Sequence, residues 1–510
     1  MPRYAAIDIG SNSIRMETAE TMPGKPMRIL TSDREVTRLG ESVFRSGRID
    51  AEAMDLTCNV LARMAAAYQA LDVAGVRAVA TSSVRDARNQ AEFIQRASQA
   101  AGTQVEVISG REEARLIHLG VQSRWPQPDR RVLIVDVGGG SVEIIASEDG
   151  RIRDAVSKPL GAVRLRELFL ASDPPTGIEL HRMQEYIDEK LAPVARRFGT
   201  SHWDRAIATS ATASAVACAI GGIPRPKRER ADRVRMPSAQ IRKLSKRLSS
   251  LGLGGRRRVT GIGPRRAEII VPGISVLVRV LEEFGLASIY YSAAGVRDGI
   301  IADLAARGVG RERAQLSPEQ KREVERISLR YGVPRKHSRQ VAALARTLFH
   351  SLHPLHQLPL EFGKPLEAAA YLHDVGHYVS DLSHHKHSGY LVANSDMPGF
   401  TNRERDLIAN LCRYHRKSLP APRHVDHRSL NDEDARALLR LIPLLRMADS
   451  LDRSHTQRIQ SMECRIEEGG VILQLVSPVD IDLEQWAAER AGEVFRQIYG
   501  RPVVLLRGVR

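Results

Sequence analysis

The chain has 510 residues, 43% of them hydrophobic, and carries 76 Lys and Arg against 60 Asp and Glu, a formal net charge of +16. That length supports about three domains with real cores, and the excess of positive charge favours anionic partners such as nucleic acid, polyphosphate or highly phosphorylated nucleotides. The four cysteines, Cys58, Cys218, Cys412 and Cys464, lie far apart without CxxC spacing, so that neither a disulfide framework nor a zinc knuckle is implied.

The opening MPRYAAIDIGSNS lacks the basic segment and long apolar core of a signal peptide, and no later run approaches the roughly 20 apolar residues that span a bilayer. A cytoplasmic protein without a membrane partner is the expectation. Residues 4–9 and 131–136 read as buried strands, short, β-branched and ended by Asp-x-Gly. Between them, Met54, Cys58, Leu61, Ala65 and Tyr68 follow the three-four spacing of one helix face. Residues 76–83 and 103–110 read as further strands, and this alternation of strand and helix argues for α/β layers. A polar stretch carrying a proline places a boundary near residue 310, after which the pattern to about 455 is helix upon helix. The final stretch reads as hairpin, helix and strand, a small α/β cap.

The segments AAIDIGSNSIR (5–15) and RVLIVDVGGGSVEII (131–145) repeat one order of events: apolar lead, aspartate, glycine, small polar residues. A strand that ends this way and turns through Ser or Gly leaves successive backbone N–H groups aimed at one point, a nest suited to phosphate oxygens. Gly10, Ser11, Asn12 and Ser13 form the first candidate cradle; Gly138, Gly139, Gly140 and Ser141 form the second. Like charges repel, so Asp8 and Asp136 are expected to hold Mg2+ or its waters between the loops, with Glu143 as a further oxygen ligand. The plainer alternative is a pair of tight β-turns, each with a capping Asp.

DIGSNSIR, ATSSVRDA, ISGREEARLIHLGV, VDVGGGSVEI, RRAEIIVPG and AAGVRDGII together resemble, in order over residues 4–300, the exopolyphosphatase and guanosine pentaphosphate phosphohydrolase family, within the superfamily of sugar kinases, actin and the heat-shock chaperones. The resemblance implies an α/β fold: two actin-like (ribonuclease H-like) ATPase-superfamily domains, 1–124 and 125–310, flanking a cleft. An all-α HD-like domain (311–458) and a small α/β domain (459–510) are expected to follow. It further implies a homodimer that removes terminal phosphate from inorganic polyphosphate, or guanosine pentaphosphate, with Mg2+. By position Glu113 falls on the family's catalytic glutamate, Arg85 on its phosphate-contacting arginine, and Asp8, Asp136 and Glu143 on its metal-associated acids. Thr212 falls in the family's phosphate-binding Gly-Thr pair, but here Ala211 precedes it, and its methyl group narrows the pocket for the rest of the substrate chain.

Locally, Ser109 and Glu112 have the form of a capping box at a helix start. That gives Glu112 a structural task and leaves Glu113, about 100° further round, free to face the cleft. There burial and nearby phosphate would raise its pKa toward the range of a general base.

Between Arg225 and Arg266 stand fifteen Lys or Arg, with Glu229 and Asp232 as the only acids. A solvated face is the plain reading and a track for a long polyanion the functional one. The lack of aromatics there argues against base stacking on single-stranded nucleic acid, so no specific nucleic-acid partner is expected. In the helical region His337, His373, Asp374, His387, His415 and Asp449 resemble, in order, the ligands of HD-domain phosphohydrolases, implying a second divalent metal: Mn, Fe, Zn or Ni. His377, His384 and His385 are expected at the surface, with His384 the possible replacement for His387. Two rival functions remain open on the sequence: an HD-type metal-dependent nucleotide phosphohydrolase with the front half as sensor, and a kinase or nucleotide-binding switch of the actin-like class.

Overall fold

In a computed structural model, which describes residues 1–22, 27–199, 202–307, 313–421 and 430–508, the chain divides into two compact units, Met1–Ala306 and Arg307–Arg510. The expected boundary near 310 lies outside the described residues.

The first unit is built on two sheets. Strands β1 (Arg3–Ile9), β2 (Ile14–Glu20), β3 (Arg28–Glu35), β4 (Gly75–Ala80) and β5 (Val105–Val107) lie in the order β3-β2-β1-β4-β5. Strands β6 (Arg131–Val137), β7 (Val142–Glu148), β8 (Arg151–Lys158), β9 (Arg205–Thr209), β10 (Arg235–Pro237) and β11 (Ser288–Tyr291) form the second, ordered β8-β7-β6-β9-β11-β10. Both sheets run antiparallel through their first three strands, then parallel across to the fourth. The repeated sequence device is therefore a repeated fold. The leading strands read as unbroken apolar runs because both their faces are covered: Ala5, Ala6 and Ile7 in β1 and Val132 to Val135 in β6 are inaccessible to solvent.

The helix Val296–Ala306, expected with the second domain, belongs physically with the first. It supplies Ile300 and Ile301 to a small core with Ala6, Val79 and Leu116, and it packs on the helix Gly110–Arg124. A Cβ on Gly299 would stand 1.8 Å from the carbonyl oxygen of Leu116, and one on Gly120 2.2 Å from that of Gly295. Glycine at these positions lets the two backbones touch.

The second unit holds the expected succession of helices and a three-stranded sheet of β12 (Ser461–Glu467), β13 (Gly470–Val476) and β14 (Val503–Gly508). The expectation of a separate C-terminal domain from 459 is corrected. Val471, Leu473, Leu475 and Phe495 share one continuous core with helix residues such as Leu344, Leu441 and Leu445, so the sheet completes the helical core instead of building its own. Among the described residues, no helix is long and apolar enough to cross a membrane.

Candidate active site and a buried histidine cluster

The two hairpins close through matching four-residue loops, 10–13 and 138–141, in which Gly10 N–H donates to Ser13 O at 3.2 Å and Gly138 N–H to Ser141 O at 3.0 Å. They face each other at contact distance. A Cβ on Gly140 would come within 2.6 Å of both Ser11 Oγ and Ser82 Oγ, and one on Gly139 within 3.2 Å of the Asn12 backbone nitrogen. Arg164 adds a clasp that the sequence did not reveal: its guanidinium donates to Gly140 O at 2.7 Å and Ser82 Oγ at 3.0 Å while stacking over Phe44.

Both loops line a cavity of about 400 Å³, together with Asp8, Asp136 and Glu113. Glu113 sits in the first turn of the helix Gly110–Arg124, where Ser109 accepts the Glu112 N–H at 3.1 Å as an N-cap. The Glu112 carboxylate is engaged by Arg115 and Arg77 in a buried ionic group with Asp303, an assignment the capping-box pattern did not anticipate. Glu113 Oε2 is buried without a hydrogen bond, and Arg85 stands beside it with Nη2 at 3.7 Å while donating through Nη1 to Ile108 O.

Acids crowd this point. Burial pushes the Glu113 carboxyl well above its usual range, reinforced by the charges of Glu143, Asp8 and Asp136 against the pull of Arg85. Burial likewise raises Asp136 to about 6, although Thr209 donates a hydrogen bond to it, and raises Glu143 to about 7 with help from Asp136. Asp8 is raised for the same first reason. Glu143 lies opposite Asp136 in the ladder, with Ser157 Oγ donating to it at 2.7 Å.

Arginines from several segments share the cavity lining with these acids: Arg15, Arg34, Arg124, Arg297 and, from the basic segment, Arg228 and Arg266. Burial of the guanidinium, with the charges of Arg15, Arg266, Arg228 and Arg225, lowers Arg34 to about 9. Burial and Arg15 lower Arg266 to about 10. Arg124 and Arg297, by contrast, pair with Glu17, and Arg124 also with Asp298. A second cavity of about 520 Å³ continues past Arg34, Arg228 and Arg266 to Arg225 and Arg265. The basic segment therefore divides: its two ends line the cavities, whereas Arg242, Lys243, Lys246 and Arg247 lie on the exposed face of the helix Ser238–Ser250.

Thr212 requires correction. It is fully buried against Gly273, and Ser210, Ala211 and Ser214 line the cavity in its place. Helical rotation turns position 212 into the core while 210, 211 and 214 share the opposite face. Ser210 holds φ at 84° where β9 enters the helix, a strained backbone at the cavity wall.

The model of the Ppx/GppA phosphatase family matches residues 18–307, and that of Ppx/GppA phosphatase domain III matches 320–488. The chain belongs to the Ppx/GppA phosphatase family. As a member it is a hydrolase of the phosphatase class. The solved Ppx-GppA enzyme of Aquifex aeolicus is 30% identical with a TM-score of 0.52, covering 59% of this chain and 99% of that one. An exopolyphosphatase from Cytophaga hutchinsonii is 27% identical with a TM-score of 0.55, covering 60% of this chain and 98% of that one. An exopolyphosphatase-like protein gives 27% and 0.56 over similar shares, 60% and 98%.

In the second unit, side chains from five segments converge. His337 lies in the helix Arg335–Ser351, His373 and Asp374 directly follow Gly363–Leu372, and His384 begins His384–Ala393. His415 directly follows Asn402–Tyr414, and Asp449 lies in Asp432–Ser450. His384, only 3% exposed, takes the place expected for His387, with Nε2 at 3.5 Å from Asp374 Oδ1 and 3.2 Å from His415 Nε2. His387, three residues on, is rotated about 60° away from it on the same helix and is half-buried. His385 is also buried, contrary to expectation, while His377 is partly exposed yet reaches Asp374 at 3.6 Å.

Proposed function

We propose that this family member is an exopolyphosphatase, removing terminal phosphate from inorganic polyphosphate by attack of a water that Glu113 activates. One observation carries the reading: a buried carboxylate without a hydrogen-bond partner opens into a cavity lined also by Arg34 and Arg266, two guanidinium groups held below their usual range by burial and by neighbouring arginines.

Water bound beside Glu113 gives its proton to the carboxylate as its oxygen attacks the terminal phosphorus, and the bridging P–O bond to the next phosphate breaks. The raised pKa makes Glu113 a stronger proton acceptor near neutrality than an ordinary carboxylate. Arg85 holds the glutamate's orientation and offers a planar fork to a phosphate oxygen. The loop amides cradle the terminal group, and Arg15, Arg266 and Arg34 take the charge of the phosphates behind it.

Asp8, Asp136 and Glu143 suit a Mg2+ ion: they are an all-oxygen set whose carboxyls are all raised by burial, with Asp8 adding to the shift of Asp136 and Asp136 to that of Glu143, so a bound cation would stabilise their charged forms. When bound, the ion would offset negative charge on the phosphate oxygens. Polyphosphate is favoured over guanosine pentaphosphate because the basic lining continues into the second cavity, and Tyr291 is the one aromatic side chain among the described residues lining either.

The test is phosphate release from long-chain polyphosphate and from guanosine pentaphosphate side by side, with Mg2+. A higher kcat/KM on polyphosphate is expected. Release from the nucleotide alone would overturn the substrate assignment, and release from neither would overturn the reading. A homodimer is part of the same proposal, and sedimentation checks it.

A further inference from the structure

The helix Gly110–Arg124 is pinned by charge one residue before Glu113. Arg115 donates to Glu112 Oε2 through Nε at 2.7 Å and to Glu112 Oε1 through Nη2 at 2.9 Å, and the same Nη2 reaches Asp303 Oδ1 at 2.9 Å. Arg77, from β4, spans the rest of the group: its Nη2 lies 3.1 Å from Glu112 Oε1 and 3.2 Å from Glu106 Oε2, and its Nη1 lies 3.2 Å from Asp303 Oδ2. Asp303 comes from the helix Val296–Ala306 and Glu106 from β5, so one ionic group ties two helices to two strands. Arg77, Glu112 and Arg115 are at most 4% exposed and Asp303 is 8% exposed.

Stability does not account for such a group. The attraction between buried charges only roughly offsets their loss of water, and well-packed apolar side chains of similar size often stabilise a fold as well or better. What the group supplies is direction. A Glu112 held at both oxygens fixes the rotation of a first turn whose start Ser109 already fixes as N-cap. Glu113, about 100° further round, takes its bearing from that turn. Its own restraints are few: Oε2 accepts no hydrogen bond, and Arg85 stands at 3.7 Å. The contacts of Gly299 with Leu116 and of Gly120 with Gly295 hold the two helices together closely enough for Asp303 to reach the group.

We propose that Arg77 and Asp303 are positioning residues for phosphate release: acting through Glu112 and Arg115, they set the direction in which the Glu113 carboxylate enters the cavity. The inference rests on Glu113 as the base. Neither Arg77 nor Asp303 lines the cavity, so their effect on the reaction runs through the glutamate.

The test is steady-state phosphate release from long-chain polyphosphate with Mg2+, paired with thermal melts, for wild type, Arg77→Met/Asp303→Leu, Glu113→Gln and the three changes combined. The paired substitution removes one cation and one anion and leaves Arg115 on Glu112, so it should melt at or above the wild-type temperature. Its kcat should fall roughly 10²-fold at unchanged KM, the effect of moving a catalytic group by about 1 Å. Added to Glu113→Gln, it should lower kcat by less than about twofold more, because the base it positions is already gone. Wild-type kcat in the paired variant, a loss carried by KM, or a full additional loss on top of Glu113→Gln would each overturn the inference and leave Glu113 as the base. Full activity in Glu113→Gln would overturn that reading and this one with it. Asp303→Asn keeps the side chain's shape and leaves Arg115 on Glu112 and Arg77 on Glu112 and Glu106. It should lose roughly 10-fold in kcat alone, and an unchanged kcat there overturns the inference even where the paired variant fails to fold.

Discussion

The two hairpins of the first unit share a backbone and differ in charge. Opposite Asp8 in the ladder stands Arg15, and opposite Asp136, at the equivalent place, stands Glu143. Duplication supplied two amide cradles, and divergence at one position gave one of them a cation and the other an acid. The cavity thereby acquires a side that repels anions and collects acids around Glu113, and a side that repels cations and collects guanidiniums around Arg15. A substrate that is itself a polyanion, arriving with a divalent ion, satisfies both sides at once.

Removing the acid function should have the largest effect. Glu113→Gln is expected to lower kcat on polyphosphate by roughly 10²–10⁴-fold, the range for loss of a general base, while binding persists; phosphate release and a binding assay read the two apart. Arg15→Glu makes the first hairpin carry the sign of the second. Loss of a charged contact on substrate should reduce kcat/KM by roughly 10–100-fold, mostly through KM.

The acid side can also be tested without turnover. Glu143 has its folded-state pKa raised to about 7 from a usual 4.5, so in Mg2+-free protein it contributes stability fully present below about 4.5 and lost as pH rises through 7. Glu143→Gln should therefore melt higher than wild type at pH 8 without Mg2+, and the gap should close as pH falls below about 4.5. Saturating Mg2+ should reverse the order at pH 8. Thermal melts across pH check both signs.

On the basic side, reversing Arg228 and Arg265 should weaken long polyphosphate more than short and flatten the salt dependence of binding. Reversing Arg242, Lys243 and Lys246, exposed on a helix that lines neither cavity, should leave KM unchanged. A comparable loss from both sets would mean that bulk charge, and not the lined path, attracts the substrate.

What could be read from the chain was whatever is local. DIGSNSIR and VDVGGGSVEI announce strand, tight turn and strand because apolar runs and glycine loops act within a few residues, and Ser109 announces the helix that carries Glu113 for the same reason. Thr212 and His387 were misassigned because helical rotation, not the order of residues, decides which face meets a cavity. Arg34 and Arg124 were not singled out, because each reaches the cavity from a different segment and neither carries a pattern beyond a common basic residue, whereas Arg228 and Arg266 belong to the basic run whose ends the fold turns into the cavities.

The amino-acid order by itself determined the duplicated strand-and-loop device, the family and the helical character of the second half, since each is written in short-range spacing. Tertiary structure alone decided that the two cradles meet, that Arg15 and Glu143 divide the cavity by charge, and that both oxygens of Asp374 are surrounded by imidazoles. Contacts between residues tens to hundreds of positions apart depend on how packed layers align, and the energy of bringing like charges together exists only once they are buried side by side.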